Sequence, residues 1–221
     1  DVEPHRPIID VASVEALITN RTKVILPVHL NGCNCNMPEL RSIAERHGIT
    51  IIEDAAQALF SVSGEGGFLG THSRSGCYSL SVAKLLTTGQ GGFIVTSQAD
   101  VARRLRLMRT HGTDDVVLAK WRCAGGNFRF TDILAAIALT QLNHVQERID
   151  RVTELYNRYS SLLKNFKSMQ LLPVNVNAGE IPLYVEVLTP QREALHAWLA
   201  EKNIQTRPTY PSLHLAPQFG D

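Results

Sequence analysis

Apolar runs alternate with segments of helical periodicity in the first part of the chain. Residues 23–30 and 49–53 are rich in β-branched and aliphatic side chains, which is typical of strands covered on both faces. Between them, residues 37–47 carry apolar residues at helical spacing and are followed by Gly48, a residue that commonly ends helices. This order predicts a strand–helix–strand unit with parallel strands and a right-handed crossover.

The pattern of the remaining residues predicts two domains joined by a helical segment. We expect helices over 11–18, 99–109 and 190–203, strands over 77–80, 93–96, 171–173, 183–188 and 204–208, and a long loop over 110–126. Residues 131–163 predict a long helical stretch with one buried face, formed by Ile133, Leu134, Ile137, Leu139, Leu142 and Val145. We therefore expect a parallel-rich α/β large domain over 1–130, a connecting segment over 131–164 and a small α+β domain over 165–221.

A lysine among small, hydroxyl and apolar residues is the first candidate for chemistry. Lys84 is the only lysine between Lys23 and Lys120, and Gly89 opens a glycine-rich turn shortly after it. Removal from water favours the neutral amine, which can form a Schiff base with an aldehyde such as that of pyridoxal phosphate. The nearby hydroxyls could bind a phosphate. A surface lysine at the end of a strand is the alternative.

An acidic pair ends the strand predicted over 49–53. Asp54 falls at its carboxyl end, the edge at which ligands bind in open α/β sheets. A carboxylate there could keep the pyridine nitrogen of pyridoxal phosphate protonated. Alternatively, Asp54 caps a helix that begins with Ala55. One member of the pair Glu53 and Asp54 could cap while the other faces a ligand.

Composition and charge limit the kinds of partner, the location and the metal sites that this chain could have. The 221 residues carry a formal net charge of +1, which favours neither nucleic acid nor a membrane surface as partner. With 44% hydrophobic and 19% charged residues, a folded globular protein is expected. The four cysteines lack the spacing of a disulfide framework, so we expect a reducing, cytoplasmic location. Cys33 and Cys35, with His29 nearby, could be imagined as metal ligands, but these two cysteines are closer in sequence than the usual zinc pair and no second ligand pair follows, so no metal is expected.

Six segments, in order and at matching spacing, resemble the DegT/DnrJ/EryC1/StrS family of sugar aminotransferases. They are LPVHLNG at 26–32, IEDAAQ at 52–57, GCYSLSVAK at 76–84, GG at 91–92, RTHG at 109–112 and GNFRFTD at 126–132. The resemblance implies the aspartate aminotransferase fold (fold type I) and pyridoxal 5'-phosphate as cofactor. It also implies transfer of an amino group, from glutamate in our expectation, to a nucleotide-linked keto sugar.

The resemblance also implies roles for individual residues. Lys84 would form the Schiff base with the cofactor and shuttle the proton, Asp54 would pair with the pyridine nitrogen, and Gln57 would lie near the ring hydroxyl. Ser79 would contact the phosphate. Asn127 would reach the phosphate of a neighbouring subunit's cofactor, which implies a homodimer with shared active sites. The corresponding substrate residues are His214 and Tyr210.

Two alternatives stay open beside the aminotransferase. A dehydratase subgroup of the family has histidine in place of the lysine, and Lys84 argues against it. The family also has a phosphate-binding helix start upstream of the matching segments, without a counterpart in these residues. Since the chain begins at Asp1 rather than Met, we expect a fragment or a processed protein. Such a piece could have the fold and bind the cofactor weakly or not at all.

Overall fold

The computed structural model describes residues 1–118, 120–209 and 215–217. Short strands and helices alternate in its first half, and helices dominate the second. In chain order the elements are α1 (Val11–Leu17), β1 (Val24–Ile25), α2 (Met37–His47), β2 (Thr50–Ile51), β3 (Glu53–Asp54), β4 (Gly76–Ser79), β5 (Gly92–Val95), α3 (Ala99–Arg109), α4 (Asp132–Leu142), α5 (Val145–Leu163), β6 (Gln170–Leu171), β7 (Val187–Leu188) and α6 (Arg192–Glu201).

Strands β1 to β5 form the sheet that positions the candidate site. β1 pairs with β2 in parallel, β3 pairs with β4 in parallel, and β4 pairs with β5 antiparallel. β2 and β3 continue one another, because Ile52 between them donates its N–H to Ile25 O at 3.1 Å. β1 therefore lies beside the continuous segment formed by β2 and β3, β4 pairs with the β3 end of that segment, and β5 lies on the other side of β4. Two of the three pairings are parallel, which confirms the expected parallel-rich arrangement.

Helix α2 forms the crossover and supplies much of the core. Asn36 caps its first turn through a side-chain oxygen, and Gly48 ends it in the left-handed conformation with a φ of 63°. Leu40 and Ile43 are buried in a cluster that also includes Tyr156, from α5. Burial of each large aliphatic side chain stabilises the fold by about 1.5–3 kcal/mol. The helix predicted over 37–47 is confirmed at both ends.

The segment 131–163 differs from the sequence prediction in two ways. It forms two helices, α4 and α5, separated at Asn143 and His144. None of the α4 residues is buried, and Ile133 and Leu139 are 76% and 66% exposed. The prediction of one buried face is therefore wrong for α4, because its apolar residues surround the helix and are at most partly covered by the described residues. No helix in the described ranges is long and apolar enough to span a membrane.

The C-terminal part follows the predicted order only in part. β6 and β7 pair antiparallel, and α6 lies within the predicted helix. Residues 204–208 form no strand, although the sequence predicted one. Pro208 has no N–H to donate to a ladder, and Ile204 is half-exposed. The domain limits at 130 and 164 stay a prediction.

Candidate active site

Asp54 lies at the carboxyl end of β3, between two neighbouring chain segments. Its backbone pairs with Val28 on one side and with Cys77 of β4 on the other. The side chain is half-buried, and its Oδ1 accepts a hydrogen bond from Ala56 N at 2.9 Å. Residues 55–60 form turns rather than a helix. Asp54 therefore closes a local turn, and the interpretation of this residue as a helix cap is wrong.

Glu53 faces away from Asp54, into the protein interior. Alternation along a strand places neighbouring side chains on opposite faces. The fully buried Glu53 carboxylate accepts hydrogen bonds from His29 Nε2 at 3.0 Å and from the backbone N–H groups of Gly70 and His72, each at 2.8 Å. Glu53 therefore holds the loop around residues 70–72, and Asp54 is the member of the pair that is left to face a ligand.

The pKa of Glu53 reflects these contacts. Burial by itself would raise the pKa, but hydrogen bonds from the His29 side chain, the Ser73 side chain and the Gly70 N–H outweigh burial and lower it. Cys35 N donates to His29 Nδ1 at 3.2 Å, so this network assigns the proton to Nε2, which donates to Glu53. Glu53 is therefore ionised in the folded protein at neutral pH.

The cluster of His29 with Cys33 and Cys35 is buried and engaged within the protein. The Cys35 thiol donates to Val28 O, and burial raises the pKa of Cys35 to about 12. Both ring nitrogens of His29 already have hydrogen-bond partners. Within the described part of the chain, no group of three or more His, Cys, Asp or Glu side chains could hold a metal ion.

Lys84 lies in the turn that follows β4. Lys84 N donates to Ser81 O at 3.0 Å, and the turn is closed by hydrogen bonds from Leu80 N to Gly91 O and from Thr88 N to Leu80 O. Desolvation lowers the pKa of Lys84, and the negative charge of Asp54 partly opposes that shift. The amine is therefore more often neutral than that of a solvated lysine, as the sequence interpretation required.

A cleft beside Lys84 collects residues from distant parts of the chain. It is lined by Ala56, Gln57, Leu59, Lys84, Leu85, Ile181 and Leu183. The enclosed part has a volume of about 10 Å³, which is room for about one water molecule. A larger ligand would therefore have to lie in the open mouth of the cleft. The structure thus brings Gln57 to Lys84, while Asp54 acts on the same amine electrostatically.

Two other predicted site residues, Ser79 and Asn127, do not line the cleft. Ser79, at the end of β4, accepts a hydrogen bond from Ser81 N at 3.3 Å and lies half-buried, five residues before Lys84. Asn127 is exposed and accepts a hydrogen bond from Arg129 Nε at 3.0 Å; it does not line the cleft. Tyr210 and His214 lie outside the described residues.

Two cleft residues gave no signal in the sequence. Ile181 and Leu183 lie about a hundred residues after Lys84 and were predicted to belong to the small domain or its approach. Asn31 figures in the sequence prediction only within the segment LPVHLNG, yet its N–H donates to Gln57 Oε1 at 2.9 Å. The Asn-Gly pair that follows a predicted strand could have indicated that Asn31 lies near the site, because ligands bind at the carboxyl ends of such strands.

With this geometry established, comparison with known proteins identifies the family. The profile of the DegT/DnrJ/EryC1/StrS aminotransferase family matches residues 1–221. The chain belongs to this family. GDP-perosamine synthase of Caulobacter vibrioides is 32% identical over 99% of the chain and 60% of that protein. EpsN of Bacillus subtilis, named a putative pyridoxal phosphate-dependent aminotransferase, is 29% identical over 89% of the chain and 51% of that protein.

The fold of the family is confirmed by solved structures. The structure of DesV of S. venezuelae, in complex with a ketimine intermediate, superposes with a TM-score of 0.91 at 32% identity, covering 99% of the chain and 58% of DesV. The predicted family, its fold class and pyridoxal phosphate as the family's cofactor are thus confirmed. The chain spans at most about 60% of the length of these three relatives.

Proposed function

We propose that the protein to which this chain belongs is a pyridoxal phosphate-dependent aminotransferase. It would transfer an amino group from an amino acid, glutamate in our proposal, to a nucleotide-linked keto sugar. The observation that carries the proposal is the half-buried Lys84 amine, whose pKa is lowered by desolvation within the field of the Asp54 carboxylate. A solvated lysine at a strand end would have neither feature.

The donor set around Lys84 fits the proposed cofactor. Lys84 would hold it at its aldehyde carbon, Asp54 at the pyridine nitrogen and Ser79 at the phosphate, with Gln57 beside the ring. The Gln57 side chain is held in place because its Oε1 accepts from Asn31 N. When bound, pyridoxal phosphate supplies an aldehyde that condenses with amines and a ring that accepts electrons.

The chain's own residues have separable tasks in this proposal. Desolvation keeps a fraction of Lys84 Nζ neutral, so that the nitrogen can take up and return a proton. The Asp54 carboxylate is fixed by the hydrogen bond from Ala56 N, and its negative charge favours the protonated form of Lys84. Ile181 and Leu183 present apolar surface in the cleft and restrict access of water to the amine.

The substrate class rests on the relatives rather than on the cleft. The Caulobacter vibrioides relative is named for a GDP-linked amino sugar. A nucleotide-linked keto sugar is therefore our proposed acceptor, and the same test should compare glutamate with glutamine as donor. The dehydratase alternative is disfavoured because this chain has Lys84 rather than histidine at the matching position.

A homodimer is part of the proposal. Large apolar side chains are exposed between residues 116 and 142, with Trp121, Phe128 and Ile133 each about three-quarters exposed at 74%, 74% and 76%. Surfaces of this kind often mark protein interfaces. Asn127 lies in the same stretch, exposed and away from its own cleft, where it could serve a neighbouring subunit. A cytoplasmic location stays a prediction.

The deciding experiment is reductive trapping. The protein, its Lys84→Ala variant and a Lys23→Ala control are incubated with pyridoxal phosphate, reduced with borohydride and mapped by mass spectrometry. Lys23 is exposed and lies away from the cleft. We expect a pyridoxyl group on Lys84, lost in Lys84→Ala and retained in Lys23→Ala. The full-length parent is tested in parallel, and amino transfer from glutamate or glutamine is then assayed with nucleotide-linked keto sugars.

The outcomes separate the alternatives. An adduct in the parent but not in this chain would support the proposal and indicate that segments beyond these 221 residues contribute to cofactor binding. A parent without an adduct on Lys84 would overturn the proposal and leave a protein with the fold alone. Pyridoxyl labelling spread equally over exposed lysines would also overturn the proposal, since any solvated amine can form an imine without a cofactor-binding site.

A further inference from the structure

Asn31 is a buried residue in an unusual backbone conformation beside the candidate site. It is 1% exposed and has a φ of 53°, in the left-handed region that asparagine tolerates better than most residues. Its side chain makes two hydrogen bonds to one residue. Tyr184 N donates to Asn31 Oδ1 at 2.7 Å, and Asn31 Nδ2 donates to Tyr184 O at 3.0 Å. The side-chain amide thus pairs with the Tyr184 backbone much as a neighbouring strand would.

The backbone of the same residue contacts another part of the cleft. Asn31 N donates to Gln57 Oε1 at 2.9 Å, which fixes one end of the Gln57 side chain. Gln57 and Leu183, the neighbour of Tyr184, both line the cleft beside Lys84. Asn31 therefore links two cleft-lining segments that are more than a hundred residues apart in sequence.

The adjoining residue shows how closely these segments approach. A Cβ atom added at Gly32 would lie 1.9 Å from Ile181 O, so only glycine permits this contact. Ile181 N also donates to Ser61 Oγ at 3.0 Å. The wall segment, residues 181–184, thus lies directly on the turn at residues 31–32 and presents Ile181 and Leu183 to the cleft.

We propose that Asn31 is a positioning residue that clamps the wall segment onto the cleft and thereby keeps Lys84 partly desolvated. The clamp acts through the two hydrogen bonds to Tyr184, while the Asn31 N–H orients Gln57. The role of this wall in catalysis rests on the function proposed above, but its effect on Lys84 can be measured without any cofactor.

Asn31→Gly is the sharpest perturbation. Glycine adopts the observed φ without strain and keeps the N–H that orients Gln57. The variant therefore removes only the side-chain contacts of Asn31, which are the two hydrogen bonds to Tyr184 and one to the Glu186 side chain. Asn31→Asp is the second variant: a carboxylate can accept from Tyr184 N but cannot donate to Tyr184 O. Asn203→Gly is the matched control, because Asn203 also has a left-handed φ, of 58°, but is exposed just after α6.

Two readouts on the cofactor-free protein test the clamp. Hydrogen exchange of the peptide that includes Tyr184 should become about tenfold faster or more in Asn31→Gly, because both hydrogen bonds between the Asn31 side chain and the Tyr184 backbone are lost. The pH dependence of reductive methylation at Lys84, mapped by mass spectrometry, should shift upward toward that of an ordinary lysine. Asn31→Asp should also change both readouts, because one hydrogen bond is lost and a buried carboxylate oxygen then faces Tyr184 O, whereas Asn203→Gly should change neither.

Unchanged exchange and an unchanged Lys84 profile in a folded Asn31→Gly protein would overturn the proposal. If Asn31→Gly does not fold, Asn31→Asp decides: wild-type values for both readouts in that variant would also overturn it. Neither result depends on cofactor. If the Asn31 variants change both readouts as expected but pyridoxal phosphate cannot be trapped on Lys84, only the proposed function is refuted. If it is trapped on Lys84 but the Asn31 variants change neither readout, only the role of Asn31 is refuted.

Discussion

Replacement of Glu53 by glutamine should destabilise the protein strongly. The Glu53 carboxylate is fully buried and accepts three hydrogen bonds: His29 Nε2 and Gly70 N bind one oxygen, and His72 N binds the other. Glutamine has one acceptor oxygen and one NH2 group, so at least one of these donors would face another donor. The remaining hydrogen bonds would also lose their charge assistance.

The magnitude follows from these contacts. A hydrogen bond to a charged group contributes about 1.5–3 kcal/mol, and a buried donor left without a partner costs about 1–3 kcal/mol. We therefore expect Glu53→Gln to lower the free energy of unfolding by about 2–4 kcal/mol, from the lost charge assistance and one buried donor left without a partner. Urea unfolding followed by circular dichroism at pH 7 measures the change, provided that the slope with urea concentration is unaffected.

Glu65→Gln is the control for Glu53→Gln. Glu65 pairs with Arg41 at the surface, where the two side chains are 40% and 37% exposed, so its replacement should cost less than about 1 kcal/mol. A loss of less than about 1 kcal/mol in Glu53→Gln as well would refute the argument, because the buried carboxylate would then contribute no more than an exposed one.

The pH dependence gives a second check on Glu53. Its pKa in the folded protein lies below the ordinary value of 4.5. The stability contributed by the carboxylate is therefore fully present above about pH 4.5 and is lost as the pH falls through the folded-state pKa. The difference between wild type and Glu53→Gln should be largest at neutral pH and narrow below pH 4.5. A difference that grows toward acid pH would contradict the sign of this shift.

Three further predictions use other residues. Gly32→Ala should prevent folding or lower the free energy of unfolding by more than about 3 kcal/mol, because the added methyl group would overlap the carbonyl of Ile181. Gly48→Ala is the control: Gly48 has open space around it, so the variant should lose only about 1 kcal/mol for the left-handed φ. Thermal unfolding of the two variants compares these losses. Asp54→Asn should lower the pKa of Lys84 further, since the Asp54 charge raises it. The midpoint of the pH profile of Lys84 methylation should therefore move to lower pH, and an unchanged midpoint would show that the two groups do not interact. Burial raises the pKa of Glu186, so its ionisation disfavours the fold as pH rises above 4.5. Glu186→Gln should therefore raise the free energy of unfolding at pH 8 relative to wild type but not at pH 4, and equal effects at both pH values would refute this assignment.

The local sequence determined the features that depend on near neighbours. The limits of helix α2 were predicted from its apolar spacing and from Gly48, and the structure adds a cap from Asn36 that also acts within one turn of the helix. Lys84 was identified as a candidate by its small, hydroxyl and apolar neighbours, and Asp54 by its position at the carboxyl end of a predicted strand. The ordered segments also predicted the family, which the comparison confirmed.

Other features were decided only by the tertiary structure. The sequence left open whether Glu53 or Asp54 faces a ligand, and only the structure shows that the Glu53 carboxylate is buried and bound to the loop around residues 70–72. The apolar residues of α4 predicted a buried face, but burial depends on what other elements cover a helix, and periodicity does not encode that partner. The wall segment that closes the Lys84 cleft lies about a hundred residues from the lysine in sequence, and Asn31 pairs with it across 153 positions. Contacts at such separation leave no local pattern, because they arise from packing and backbone hydrogen bonds that many sequences can supply.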